Sequence, residues 1–132
     1  MTNKQIKAVY IQPGKPAALI SIEDKLEEYQ KAVGGYIECI YPYNDNALLI
    51  CNEEGKLEHL APNFDIFGGR DVVAGPVLIV ADDGEGGFTS LTAAQIARYL
   101  DMYETPEYPE ELTLDEISQL YELGQSVGIW GW

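Results

Sequence analysis

Positive charge is scarce in this chain. Of 132 residues, 8 are Lys or Arg against 22 Asp or Glu, a net charge of −14. That balance argues against a direct grip on nucleic acid or an anionic membrane, both of which are held through many cationic contacts. There is a single histidine, His59, so multi-histidine zinc sites are excluded and a catalytic dyad would have to draw on Cys39 or Cys51. Those are the only two cysteines, too few for a disulfide framework. Both fall in apolar strand segments, which raise a thiol's pKa and argue against nucleophilic catalysis; they read as buried small hydrophobes. No apolar run approaches the ~20 residues of a membrane span, and MTNKQIKAV at the N-terminus has no apolar signal core. The expectation is a cytoplasmic protein with free thiols, no catalytic residue, no metal site and no cofactor.

What is present suffices for one core. At 46% apolar, a chain of this length supports one compact domain and is short for two. Residues 33–56, VGGYIECIYPYNDNALLICNEEGK, read as helix end, strand, turn and strand. Gly34 and Gly35 end a helix, and the aromatic and β-branched run that follows suits a pleated surface. Asn44, Asp45 and Asn46 then make a turn. Centred on Asp45, that turn sets Cys39 against Cys51, Ile40 against Ile50 and Tyr41 against Leu49, and a one-residue slip would reverse one strand's faces.

Before this hairpin, residues 5–11 alternate and run into Pro13-Gly14-Lys15-Pro16, with residues 17–20 returning as a partner strand. Ser21 with Asp24 resembles an N-cap, and Ile22, Leu26, Tyr29 and Val33 then recur at helical spacing, predicting a helix over 22–33. After it, residues 57–69 hold no single period and read as an irregular connection with Leu60, Phe64 and Phe67 turned inward. Residues 71–81 are apolar apart from the Gly75-Pro76 interruption, and 77–81 predict the most buried strand. Thr92 and Gln95 form a capping-box pattern before a second amphipathic helix over 92–103. Thr113 with Glu116 repeats the pattern near the C-terminus.

The Pro-Gly-Lys-Pro turn, VGGYIE, ICNEEGKL, Pro62-Asn63, DVVAGPVLIV and GGFTSLT occur here in order. Over about residues 5–107 this set resembles a family of small proteins catalogued as a domain of unknown function, common in phages, plasmids and conjugative elements of Gram-positive gut bacteria. The resemblance implies a mobile-element context and supplies no catalytic residue.

Two constellations remain. The loop Asp82-Asp83-Gly84-Glu85-Gly86-Gly87 precedes a helix, as a phosphate cradle does, but three carboxylates and no lysine oppose an anion there, and the spacing fails a calcium-loop pattern. The acids are also unevenly placed. Residues 82–122 carry eleven acids and one base, Arg98, a surface suited to a basic partner or simply to solubility.

The predicted fold is α+β. It is one domain with an antiparallel or mixed sheet of about five strands and both helices on one face, residues 1–107 forming the core and 108–132 an acidic, aromatic extension packed on it. Two functional readings follow. The first is a non-enzymatic acidic protein that binds a basic host or element-encoded protein, in the manner of a DNA mimic or anti-defence factor, through Glu104, Glu107, Glu110, Glu111, Asp82, Asp83 and Glu85. The alternative is a small-molecule or nucleotide-signal module with an aromatic pocket drawing on Tyr10, Tyr43, Arg70, Tyr108 and Trp130. Tyr29, Tyr36, Tyr41, Tyr99 and Tyr103 are assigned to core packing.

Overall fold

The computed structural model describes residues 4–108. In chain order these form β1 (Gln5–Ile11), β2 (Ala18–Glu23), α1 (Leu26–Val33), β3 (Ile37–Ile40), β4 (Ala47–Asn52), β5 (Pro62–Ile66), β6 (Asp71–Ala74), β7 (Val77–Asp82), β8 (Phe88–Thr89) and α2 (Ala93–Met102). Glu110, Glu111, Trp130 and the Thr113 capping pattern lie outside the described residues, as does the predicted extension beyond Tyr108. No helix among the described residues is long and apolar enough to cross a membrane.

The main sheet runs β2-β1-β7-β4-β3, with every neighbouring pair antiparallel. β8 adds a sixth strand on the end of β7, and the chain just after it is tied to β1, where Lys7 donates its N–H to Ser90 Oγ (2.9 Å) and accepts from Leu91 N–H (3.1 Å). The α+β class and the antiparallel sheet are as the sequence predicts. β7 lies at the centre: Val77, Leu78, Ile79 and Val80 have no exposed surface. A strand covered on both faces needs no polar alternation, which is why this segment reads as one apolar run.

The two helices, expected on one face, lie on opposite faces. Ile6, Ala8, Leu48, Ile50, Leu78 and Val80 face α1 through Tyr29 and Val33. Val9, Ile11, Ala47, Leu49, Val77 and Ile79 face the other way, toward Tyr99 of α2 and toward Phe64, Ile66 and Val73 of a separate two-stranded sheet, β5-β6. The physical reason is in the strands themselves: β1, β4 and β7 are apolar on both sides, so each side requires a cover.

Three local expectations are corrected. β2 continues to Glu23, with Ile22 opposite Ile6 and Ser21 opposite Lys7, so the Ser21–Asp24 cap pattern sits in a strand and α1 starts only at Leu26. Pairing along β1 supplies ladder bonds and buries Ile22, which outweighs one local capping signal. In the β3-β4 hairpin the register is one residue off: Cys39 faces Ile50, Glu38 faces Cys51 and Ile40 faces Leu49. β3 ends at Ile40 shortly before Pro42, which has no N–H for a ladder, while Asp45 Oδ1 accepts the Ala47 N–H (2.8 Å) at the start of β4. The cysteines therefore point to opposite faces as free thiols, Cys51 buried and Cys39 exposed, so only one is the buried hydrophobe expected. Finally, residues 62–66, expected to be irregular, form β5. Phe64 is buried and Leu60 half-buried, but Phe67 sits in the tight turn after β5 at 48% exposure.

The interruption at Gly75-Pro76 is where the chain leaves the β5-β6 layer and enters β7. Gly75 has φ +81°, and a Cβ there would meet Leu60 Cδ1 at 2.7 Å. Asn63 ties the crossover to β1, donating Nδ2 to the carbonyls of Ile11 and Gly75, both at 2.9 Å.

Candidate interaction surface

α2 forms because Thr92 and Gln95 cap it reciprocally: Thr92 Oγ1 accepts the Gln95 N–H (3.1 Å) and Gln95 Oε1 accepts the Thr92 N–H (2.9 Å). Its last turn carries no basic residue, so the negative end of the helix dipole is left beside Asp101 and Glu104. Past Tyr103 the chain turns back over β5. Glu107 Oε2 accepts the Asp65 N–H (3.0 Å) and the Tyr108 hydroxyl donates to Asp65 Oδ1 (2.7 Å). Burial against β5 raises the Glu107 pKa, the Asp65 N–H opposes this, and the neighbouring Asp65 carboxylate reinforces it.

Beneath this segment lies a row of aromatic rings. Phe64 and Tyr103 have centroids 4.2 Å apart, Tyr43 and Tyr99 4.6 Å apart, and the Tyr43 and Tyr103 hydroxyls share a hydrogen bond of 2.8 Å. Desolvation, reinforced by Tyr103, pushes the Tyr43 pKa far up. The row ends at Asp45, whose Oδ2 accepts from both the Tyr99 hydroxyl and Arg98 Nη1 at 2.8 Å. Ile11, Lys15, Phe64, Met102, Tyr103 and Glu107 are among the walls of a cavity of about 240 Å³ here. Glu107, Tyr43 and Tyr108, singled out from the sequence for two different functions, thus belong to one end of the molecule.

The remaining candidates are elsewhere. Tyr10 lies on the α1 face, its hydroxyl donating to the Ala32 carbonyl (2.7 Å). Arg70 is exposed after the tight turn that follows β5. Asp82, Asp83 and Glu85 stand at the C-terminal end of β7, whereas Ile11, which pairs with Val77 at the start of β7, lines the α2-end cavity. A six-residue strand separates these two ends by roughly 17 Å. In the Asp82 loop the N–H groups that an anion cradle would need are taken by the loop's own carboxylates: Asp82 Oδ1 accepts from Gly84, and Asp83 Oδ1 from Glu85 and Gly87. Those backbone bonds hold the Asp83 pKa below its usual value.

Tyr36 and Tyr41, assigned to the core from the sequence, are 72% and 56% exposed. They flank β3, which among the described residues is an edge strand with one neighbour. From the sequence Asp45 reads as a turn former and Asp65 lies inside a segment without periodicity; no sequence signal marks either as an anchor. Both thiols are raised, chiefly by desolvation, Cys51 up to about 12, so neither is activated as a nucleophile. Among the described residues no group of three or more His, Cys, Asp or Glu side chains is placed to hold a metal ion.

A family model described as a domain of unknown function, DUF3846, matches residues 6–104. The chain belongs to that family. No curated protein and no solved structure matches it. The family match spans β1 to just past α2, so the two-faced sheet, the β5-β6 layer and the aromatic row are all within it, while Glu107 and Tyr108 follow its end.

Proposed function

We propose that this chain is a non-enzymatic, acidic interaction protein of a mobile genetic element, acting in the cytoplasm, that binds a basic surface on a host or element-encoded protein. One observation carries the reading. Half of the eight cations are engaged by the chain's own acids: Lys25 with Glu23 (3.2 Å), Lys31 with Glu28 (3.1 Å), Lys56 with Asp71 and Arg98 with Asp45 (2.8 Å). Against that, Asp101, Glu104 and Glu107 are exposed at the end of α2, and Asp83 and Glu85 are exposed after β7. Net charge of this size steers a basic partner toward the protein and repels nucleic acid. Surface carboxylates spaced over a small body present the same sign of charge as a phosphate backbone, which supports a DNA-mimic mode.

The aromatic-pocket reading draws on Phe64, Tyr43 and Tyr103 beside the α2-end cavity. It ranks second because that cavity, at about 240 Å³, is below the roughly 300–1,000 Å³ of small-molecule sites, and Lys15 is the one cation in its lining. The test is capture from a host lysate at low salt and at about 0.5 M, where the Debye length is only a few ångströms. The expected result is a basic protein retained at low salt and released at high salt. A partner retained equally at both, or binding of a nucleotide to the pure chain, would favour the second reading.

A further inference from the structure

A second cleft lies at the end of α1, on the face of the sheet opposite α2. Gln30, Gly35, Tyr36, Asn52, Glu54 and Glu58 line a cavity of about 270 Å³. Its organising residue is Asn52, 6% exposed, which donates Nδ2 to the Val33 carbonyl (3.3 Å) and to Glu58 Oε1 (3.1 Å) and accepts the Glu54 N–H at Oδ1 (2.8 Å). The backbone at Gly35 abuts that amide so closely that a Cβ would lie 2.9 Å from Nδ2. One buried side chain therefore fixes the helix end, the Glu58 carboxylate and the backbone that carries Glu54.

The electrostatics of the cleft have one sign. None of its lining residues is cationic, and Lys31, the basic residue of the last turn of α1, is engaged by Glu28. The negative end of the α1 dipole adds to the two carboxylates. Tyr36, at 72% exposure, is the most exposed aromatic ring among the described residues, and it stands beside them. An exposed ring in a cleft lined by two glutamates suits a flat cation, because guanidinium stacks on an aromatic face while donating two parallel N–H bonds to a carboxylate. The volume fits a side chain better than a whole nucleotide.

We propose that this cleft receives an arginine side chain of the basic partner. The inference rests on the acidic-interaction reading and names one contact within it. The test is a nuclear magnetic resonance titration of the full ¹⁵N-labelled chain with N-acetyl-arginine amide, and in parallel with the uncharged citrulline analogue. Arginine should shift amides at Gly35, Tyr36 and residues 52–58, and citrulline should not. Tyr36→Ala, which removes an exposed ring and leaves the melting temperature unchanged, and the pair Glu54→Gln, Glu58→Gln should each weaken the arginine response roughly tenfold, as expected for loss of a contact to a charged group. Equal shifts with citrulline, shifts spread evenly over every acidic segment, no shifts, or variants that respond like the parent would overturn the proposal. A captured basic partner that binds these variants as tightly and as salt-dependently as the parent would overturn this contact alone and leave the acidic-surface reading standing. Absence of any salt-dependent partner would remove both.

Discussion

At Asp45 one carboxylate answers three donors: the Ala47 N–H, the Tyr99 hydroxyl and Arg98 Nη1, each at 2.8 Å. Tyr99 is 1% exposed, so Asp45→Ala strands a buried hydroxyl, and urea denaturation at pH 7 should show a loss of about 1–3 kcal/mol. Burial works against the ionised carboxyl, but the bonds from Ala47 and Tyr99, with the neighbouring Gln95 amide and the Arg98 charge, hold its pKa below the usual value. The unfolded chain therefore takes up this proton first on acidification. The stabilisation is complete above the ordinary carboxylate pKa and disappears as pH falls through the lowered folded value. Asp45→Asn should flatten that part of the pH profile; a variant with the parent's acid limb would contradict the assignment. The cysteines give a second check at this scale. In native protein an alkylating reagent should label Cys39 and spare Cys51, and denatured protein without reductant should take two labels. A mass two hydrogens short and unlabelled would mean a bridge that the observed register forbids.

Among the elements, those with a signal confined to their own residues were legible in the sequence. The β1-β2 hairpin follows from alternation into a proline and glycine turn, α2 from Thr92 and Gln95, and β7 from an unbroken apolar run. What was not legible depends on partners distant in the chain. Ser21 and Asp24 look like a cap, but Ile22 is claimed by Ile6 across the sheet. Asn44, Asp45 and Asn46 mark a turn without fixing which residue is its centre, and the one-residue difference decides which face receives each cysteine. β5 contains Pro62 and, among the described residues, has only β6 as a ladder partner, so no period in residues 57–69 announces it. Glu107, Tyr43 and Tyr108 stand out in the sequence, though for two different roles, and no sequence signal joins them at the α2 end; Asp65 has no signal at all, because its contacts come from a chain segment some forty residues later. The end of α1 lies where the sequence predicts it, at Gly34. Gly34 has φ +82° and open space around its missing Cβ, so Gly34→Ala should cost about 1 kcal/mol through backbone strain alone, read as a lower urea midpoint. Gly35→Ala meets Asn52 and should cost at least as much. An unchanged midpoint for both would mean that the helix end contributes nothing to stability.

On the scale of the whole molecule, a net charge of −14 on 132 residues costs stability through self-repulsion, and the proposed binding role would give that cost a purpose. Exposed carboxylates include groups at three separated places among the described residues: the end of α2, the loop after β7, and the turn after β4. The proposed partner would meet such an arrangement with an extended basic surface. The most direct measurement is the association rate of the captured basic partner, followed from low ionic strength to about 0.5 M salt, for the parent and for a variant with Glu104, Glu107, Glu110 and Glu111 changed to Gln. The account predicts an unchanged or slightly raised melting temperature for the variant, slower association at low salt, and a flatter dependence of rate on ionic strength. Association as fast and as salt-sensitive as the parent's would contradict it.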